Sequence, residues 1–148
     1  MKKSTNIFKI MVNNHFKIEN LLTLLEEKNN EDSKSMNEAF NKFEWELEKH
    51  IFTEEKAIFT SYTPESTSEG YKMLPELTKQ HNFILNKLNN LRRDLKNKRN
   101  LSDLYSFKLY LIRHKNFEEE KVYPMLDQSL NEKEKMAIKT KIDEIVQK

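Results

Sequence analysis

Four stretches of the chain repeat apolar side chains at alternating steps of three and four residues, and each stripe contains one histidine. The first runs Phe8, Met11, His15, Ile18, Leu22, Leu25, and the second Met36, Phe40, Phe43, Leu47, His50, Glu54, Ala57. The third is Leu74, Leu77, His81, Ile84, Leu88, Leu91, Leu95, and the fourth Leu104, Phe107, Leu111, His114, Glu118, Met125. A helix returns residues three and four apart to one face, so each stripe predicts an amphipathic helix with a histidine on its buried side. One Gly and three Pro in 148 residues leave little to build the tight turns of a sheet, and an all-α fold is expected.

Helix boundaries follow from caps and breakers. The first helix starts after a Ser4 or Thr5 cap and reaches about Asn29, with a polar loop to Lys34. The second ends near Thr60, ahead of Ser61-Tyr62-Thr63-Pro64. The third closes in the basic stretch from Asn97 to Asn100, while Gly70 and Pro75 leave its start open. The fourth begins at a Ser102 cap, and Lys121 interrupts its stripe just before Pro124. Asn131 and Glu134 have the spacing of a capping box, which opens a short fifth helix carrying Met136, Ile138, Ile142 and Ile145. Short polar loops between amphipathic helices predict an antiparallel up-down-up-down four-helix bundle. Its core covers about residues 4–126, a C-terminal helix of about 131–147 packs on it as a flap, and residues 1–148 form a single domain without a linker.

Lys and Arg number 26 against 24 Asp and Glu, a mixed net charge of +2 that argues against nucleic acid as a partner. No cysteine is present, so disulfides, thiolate metal sites and iron-sulfur clusters are excluded and any metal must be held by nitrogen and oxygen. Neither a secretory apolar run near the N-terminus nor a membrane-length apolar stretch is visible. The expectation is a cytoplasmic protein without a membrane partner.

The histidines fall in the order His, HxxxE, His, HxxxE: His15, then His50-Ile51-Phe52-Thr53-Glu54, then His81, then His114-Lys115-Asn116-Phe117-Glu118. One histidine on an apolar stripe is an ordinary hydrogen-bonded core residue, and one i, i+4 His–Glu pair is an ordinary surface contact. Here four histidines occupy four stripes, and Glu54 and Glu118 share the buried face with theirs. Six such groups buried without partners would destabilise the fold by roughly 1–3 kcal/mol each, and a cation removes that penalty. Six donors exceed the needs of one tetrahedral ion. They divide into two ions with two histidines each and both carboxylates bridging, a donor mix suited to iron, with manganese or zinc as substitutes. Coordination needs neutral imidazoles, so from an unperturbed pKa of about 6.5 metal affinity is expected to fall below about pH 6.

This doubled motif resembles the hemerythrin-like family, also called the HHE cation-binding domain, over roughly residues 8–126. The resemblance implies a four-helix bundle around a carboxylate-bridged non-heme di-iron centre. His15, His50, His81 and His114 are then terminal ligands, Glu54 and Glu118 bridges, and Glu55 and Glu119 outer or solvated acids. Two positions depart from the oxygen carriers of that family. Leu85 stands where they have a second histidine four residues after the third-helix one, and Glu119 stands where they have an aspartate five residues after the last histidine. Glu118 repeats the spacing of Glu54 and is preferred as the fourth-helix ligand, with Glu119 as the alternative. The missing histidine weakens reversible oxygen carriage and favours reaction, sensing or metal exchange. Ferritin-like di-iron proteins carry ExxH instead, with the opposite order. Iron-centre repair proteins share two HxxxE segments but typically have further histidines and a cysteine-bearing N-terminal segment.

The function so implied is binding or sensing of a small oxidant or diatomic ligand (dioxygen, nitric oxide or peroxide) or iron storage. Redox turnover at the same centre, as peroxide reduction or iron-sulfur-centre repair, is the alternative. Tyr110 and Tyr123 are candidate donors near the centre, and Phe16, Phe43, Trp45, Phe52, Phe83 and Phe117 are candidate shields against water.

Overall fold

The computed structural model describes residues 7–29, 33–61, 69–97, 101 and 104–146. The four stripes become helices α1 (Ile7–Lys28), α2 (Ser33–Thr53), α3 (Glu69–Lys96) and α4 (Leu104–Phe117), followed by α5 (Tyr123–Ser129) and α6 (Glu132–Val146). No strand occurs among the described residues. The expected Ser4, Thr5 and Ser102 caps lie outside them.

The apolar side chains gather in two clusters, and the order in which each helix visits them fixes the topology. One cluster holds Ile18, Leu22, Phe43, Leu47, Ile84 and Phe107; the other holds Met11, Ala57, Leu77, Val122 and Ile138. Helix α1 passes from Met11 in the second cluster to Ile18 in the first, and α2 returns from Leu47 to Ala57 just beyond its end. Helix α3 then runs from Leu77 to Ile84, and the chain through α4 descends from Phe107 to Val122. This alternation is the antiparallel up-down-up-down bundle. Between the clusters lies a polar layer to which each of the four passes contributes its histidine.

Two features go beyond the expected helices. After Thr53 the chain leaves α geometry for a π-helical turn, Glu54–Ile58, and a 3₁₀ turn, Phe59–Ser61. After Phe117 a second π turn, Glu118–Val122, leads into α5. In each, the backbone N–H five residues on closes the turn, from Phe59 to the Glu54 carbonyl and from Tyr123 to the Glu118 carbonyl. The sequence interruption at Lys121 is therefore not a helix end. Pro124 sits in the first turn of α5, where a missing N–H is tolerated. Pro75 likewise lies inside α3 on an exposed face and does not end it.

The capping box forms as read. The Asn131 N–H donates to Glu134 Oε1 at 2.9 Å, and the Glu134 N–H donates to Asn131 Oδ1 at 2.8 Å. Ile138 and Ile142 of α6 are buried against the second cluster, but Met136 is 51% exposed. Two residues from Ile138 is about 200° around a helix, so Met136 cannot share that face.

Candidate metal centre

The six side chains His15, His50, Glu54, His81, His114 and Glu118 are all buried and meet in the polar layer. They form two overlapping groups whose donor atoms lie within 4.8 Å of one another: Glu54, His81, His114 and Glu118, and His15, His50 and Glu118. Glu118 belongs to both. Its Oε1 is 3.0 Å from His15 Nε2, 3.4 Å from His114 Nε2 and 3.7 Å from His50 Nε2. Glu54 Oε1 lies 3.1 Å from His81 Nε2 and 3.4 Å from His50 Nε2, so each carboxylate reaches imidazoles from both halves of the chain.

Three of the four outer ring nitrogens have partners of their own, and His50 Nδ1 is buried without one. His15 Nδ1–H donates to Glu119 Oε2 at 2.6 Å, His81 Nδ1–H to Glu55 Oε2 at 2.8 Å, and His114 Nδ1–H to Gln80 Oε1 at 2.6 Å. In a neutral imidazole that arrangement puts the lone pair on Nε2, facing the centre, as metal-binding histidines are held by outer acceptors. The fourth-helix alternatives are thereby separated in space. Glu118 is fully buried among the Nε2 atoms, whereas Glu119 faces the far side of His15. Helical spacing favoured that arrangement, since Glu118 lies one turn from His114. Gln80 was not singled out in the sequence, and its position beside His81 carried no signal of a contact to another helix.

The donor set fits a cation. His114 Nε2 and Glu118 Oε2 are buried and have no hydrogen-bond partner, and both belong to this cluster. Two carboxyls within one buried layer also repel. Burial, then the Glu118 charge, pushes the Glu54 pKa up. Burial opposes ionisation of Glu118 too, but the hydrogen bond from Glu54 and the charge of His114 hold it well below the usual range. For His15, burial lowers the pKa and the hydrogen bond and charge of Glu118 outweigh it, so the net shift is upward. Burial is likewise overcome at His81 by Glu118 and Glu54, and its pKa is pushed up to about 11.

These shifts revise the expected pH dependence. A raised histidine pKa stabilises the metal-free fold fully below the ordinary value of 6.5, and that contribution is lost as pH climbs toward about 11. A metal bound at Nε2 must displace the proton that neutral solution leaves on His81, and the upward shift of His15 acts in the same sense. Uptake at about pH 8 is expected to release at least about one proton per chain, from His81, with affinity still rising there rather than levelling off above about pH 6. Proton release followed with an indicator dye in weak buffer measures this, and uptake without release at that pH would refute it.

A cavity of about 260 Å³ adjoins the centre, and His15, His50 and His114 line it with Ile18, Leu47 and Leu111. Its polar rim includes Lys115, paired with Glu19 at 2.7 Å, and Lys108, paired with Glu26 at 3.0 Å. The expected aromatic shield is only partly present. Phe16, Trp45, Phe52 and Phe83 are 60%, 60%, 49% and 42% exposed. Phe16 directly follows its histidine, and Phe52 and Phe83 lie two residues after theirs, positions that turn away from the buried face. Phe43 is buried in the first apolar cluster. Rings that do border the centre are Phe59, stacked on His81 at 6.0 Å, and Tyr123, stacked on His15 at 5.9 Å, with Phe8 behind Tyr123 at 5.2 Å. Tyr110 packs instead against Phe83.

Fold and centre together define a class: an antiparallel helical bundle with a buried histidine–carboxylate layer able to hold metal cations. A family profile, the hemerythrin HHE cation binding domain, matches residues 6–126, and the chain belongs to that family. Comparison with curated proteins and with solved structures gave no match. None of the helices among the described residues is long and apolar enough to cross a membrane.

Proposed function

We propose that the chain is a non-heme di-iron protein of the cytoplasm that binds or senses a small neutral oxidant or diatomic ligand. Its two ions are held by His15, His50, Glu54, His81, His114 and Glu118 within a single domain. The observation that carries this reading is the convergence of all four Nε2 atoms on two fully buried carboxylates, with three of the four Nδ1 atoms anchored outside. Bound there, iron supplies redox chemistry and exchangeable positions for a diatomic ligand. The protein's own residues set its access. The apolar walls of the adjoining cavity admit a neutral diatomic without the desolvation penalty that an anion meets. Its volume is several times the roughly 30 Å³ that a water molecule occupies in the liquid, so a small ligand fits beside the centre.

Binding rather than turnover is favoured because every histidine in the chain lies in the metal layer, which leaves no imidazole free as a proton donor. The deciding experiment loads the protein anaerobically with ferrous iron, counts the metal, and records the visible spectrum before and after dioxygen or nitric oxide. About two irons per chain and a spectrum that changes with the gas are expected. A reproducible value near one iron, or a spectrum indifferent to both gases, would overturn the proposal.

A further inference from the structure

The two halves of the chain build the same unit, a histidine followed by HxxxE, and each adds an aromatic residue five positions after the glutamate: Phe59 after Glu54 and Tyr123 after Glu118. In an α-helix five residues end about 140° off the starting face. The π turns cancel most of that rotation, because each closes between those same two residues and so brings them onto one side. Each ring then lies over the lone histidine of the opposite half, at interplanar angles of 10° for Phe59 on His81 and 14° for Tyr123 on His15. The approximate symmetry breaks at one atom. Phe59 ends in hydrogen, whereas the Tyr123 hydroxyl enters the centre, 2.8 Å from Glu54 Oε2, 3.3 Å from Glu118 Oε1 and 3.5 Å from His15 Nε2.

The donor count breaks in the complementary sense. The group containing His81, on the phenylalanine side, has four mutually close donors; the group containing His15, on the tyrosine side, has three, with Glu54 more distant at 3.4 Å from His50 Nε2. Two ligands bound about 2.1 Å from one ion and at right angles are about 3 Å apart. The hydroxyl oxygen sits near that spacing from both Glu118 and His15, and its ring is only 4% exposed, so water does not compete freely for the position. Resting on the di-iron reading above, we propose that Tyr123 is a further protein donor at the His15–His50 position, beside His15, His50 and the carboxylates it shares. It binds as a phenolate and makes the two ions chemically unequal. On binding, the O–H bond breaks, the metal–oxygen bond forms, and the proton leaves to solvent. An anionic oxygen donor favours the ferric over the ferrous state, so the His15–His50 ion is the one held oxidised.

The test uses the full chain loaded with ferrous iron and oxidised in air, as wild type, Tyr123→Phe and Tyr110→Phe. Wild type and Tyr110→Phe should show a phenolate-to-iron absorption band in the visible, and resonance Raman excited in that band should show tyrosine ring modes. Both should vanish in Tyr123→Phe while its helical circular dichroism is retained. If that variant does not fold, wild-type protein grown on ring-deuterated tyrosine decides, since the enhanced modes must shift. Two irons per chain without the band, or a band that survives in folded Tyr123→Phe, overturns the tyrosine assignment and leaves the di-iron reading standing. Failure to bind iron overturns both.

Discussion

Replacing Glu118 with alanine will empty both metal positions, whereas the same change at Glu119 will leave both able to fill. Glu118 is the carboxylate shared by the two donor groups and approaches three imidazoles, so its loss takes a donor from each ion. Iron-reconstituted protein should fall from about two ions per chain toward none. Glu119 hydrogen-bonds the outer nitrogen of His15 and, among the described residues, belongs to neither donor group. Its removal frees that ring to turn and is expected to weaken affinity by roughly 10–100-fold, a loss that saturating iron overcomes. Glu54→Ala should follow Glu118→Ala, and His50→Ala or His114→Ala should lower occupancy of one position. Metal analysis after gel filtration reads all of these, and a Glu119 variant that stays empty beside a filled Glu118 variant would reverse the assignment.

The second large effect is on stability. A metal that binds only the folded chain stabilises it by about 2.7 kcal/mol at a hundredfold excess over its dissociation constant. For a chain of this length each kcal/mol moves the midpoint by roughly 2–4 °C, so the loaded form should melt roughly 5–10 °C above the metal-free one. The effect has a local cause: metal-free protein keeps two buried carboxyls side by side and leaves His114 Nε2 and Glu118 Oε2 unpartnered. Circular dichroism melts with and without chelator measure it. Coincident curves at saturating iron would mean that the cluster binds metal no better in the folded chain than in the unfolded one.

The bundle was legible because its signal is periodic. Stripes through Met11, Leu47, Leu77 and Phe107 determine which face of each helix is buried, and short polar loops leave antiparallel packing as the simple solution. The cluster was legible for the same reason, each histidine occupying a stripe position with Glu54 and Glu118 one turn away. Contacts between helices were not legible. Gln80 to His114 and Glu55 to His81 depend on the rotation of one helix against another, which no single stripe encodes. The π turns were also invisible as such: at Lys121 the pattern merely looked broken, and a one-residue change of register resembles a helix end. Tyr123 was visible only as a nearby candidate, because its approach to the centre needs that change of register. Phe16, Phe52 and Phe83 show the converse error, in which closeness to a histidine along the chain was read as closeness in space.

The crossed contacts also divide the centre between two hairpins. Helices α1 and α2 form one hairpin and α3 and α4 another, each from neighbouring segments whose loop closure carries a small entropic penalty. The centre belongs to neither hairpin. His15 meets Glu119 across 104 residues, and His81 meets Glu55 of the other hairpin. Neither hairpin alone presents more than half of the donors, so a complete site exists only once the two have docked. A metal held there would fasten the seam between the two hairpins, and its escape would be tied to the parting of that seam rather than to fraying at a helix end.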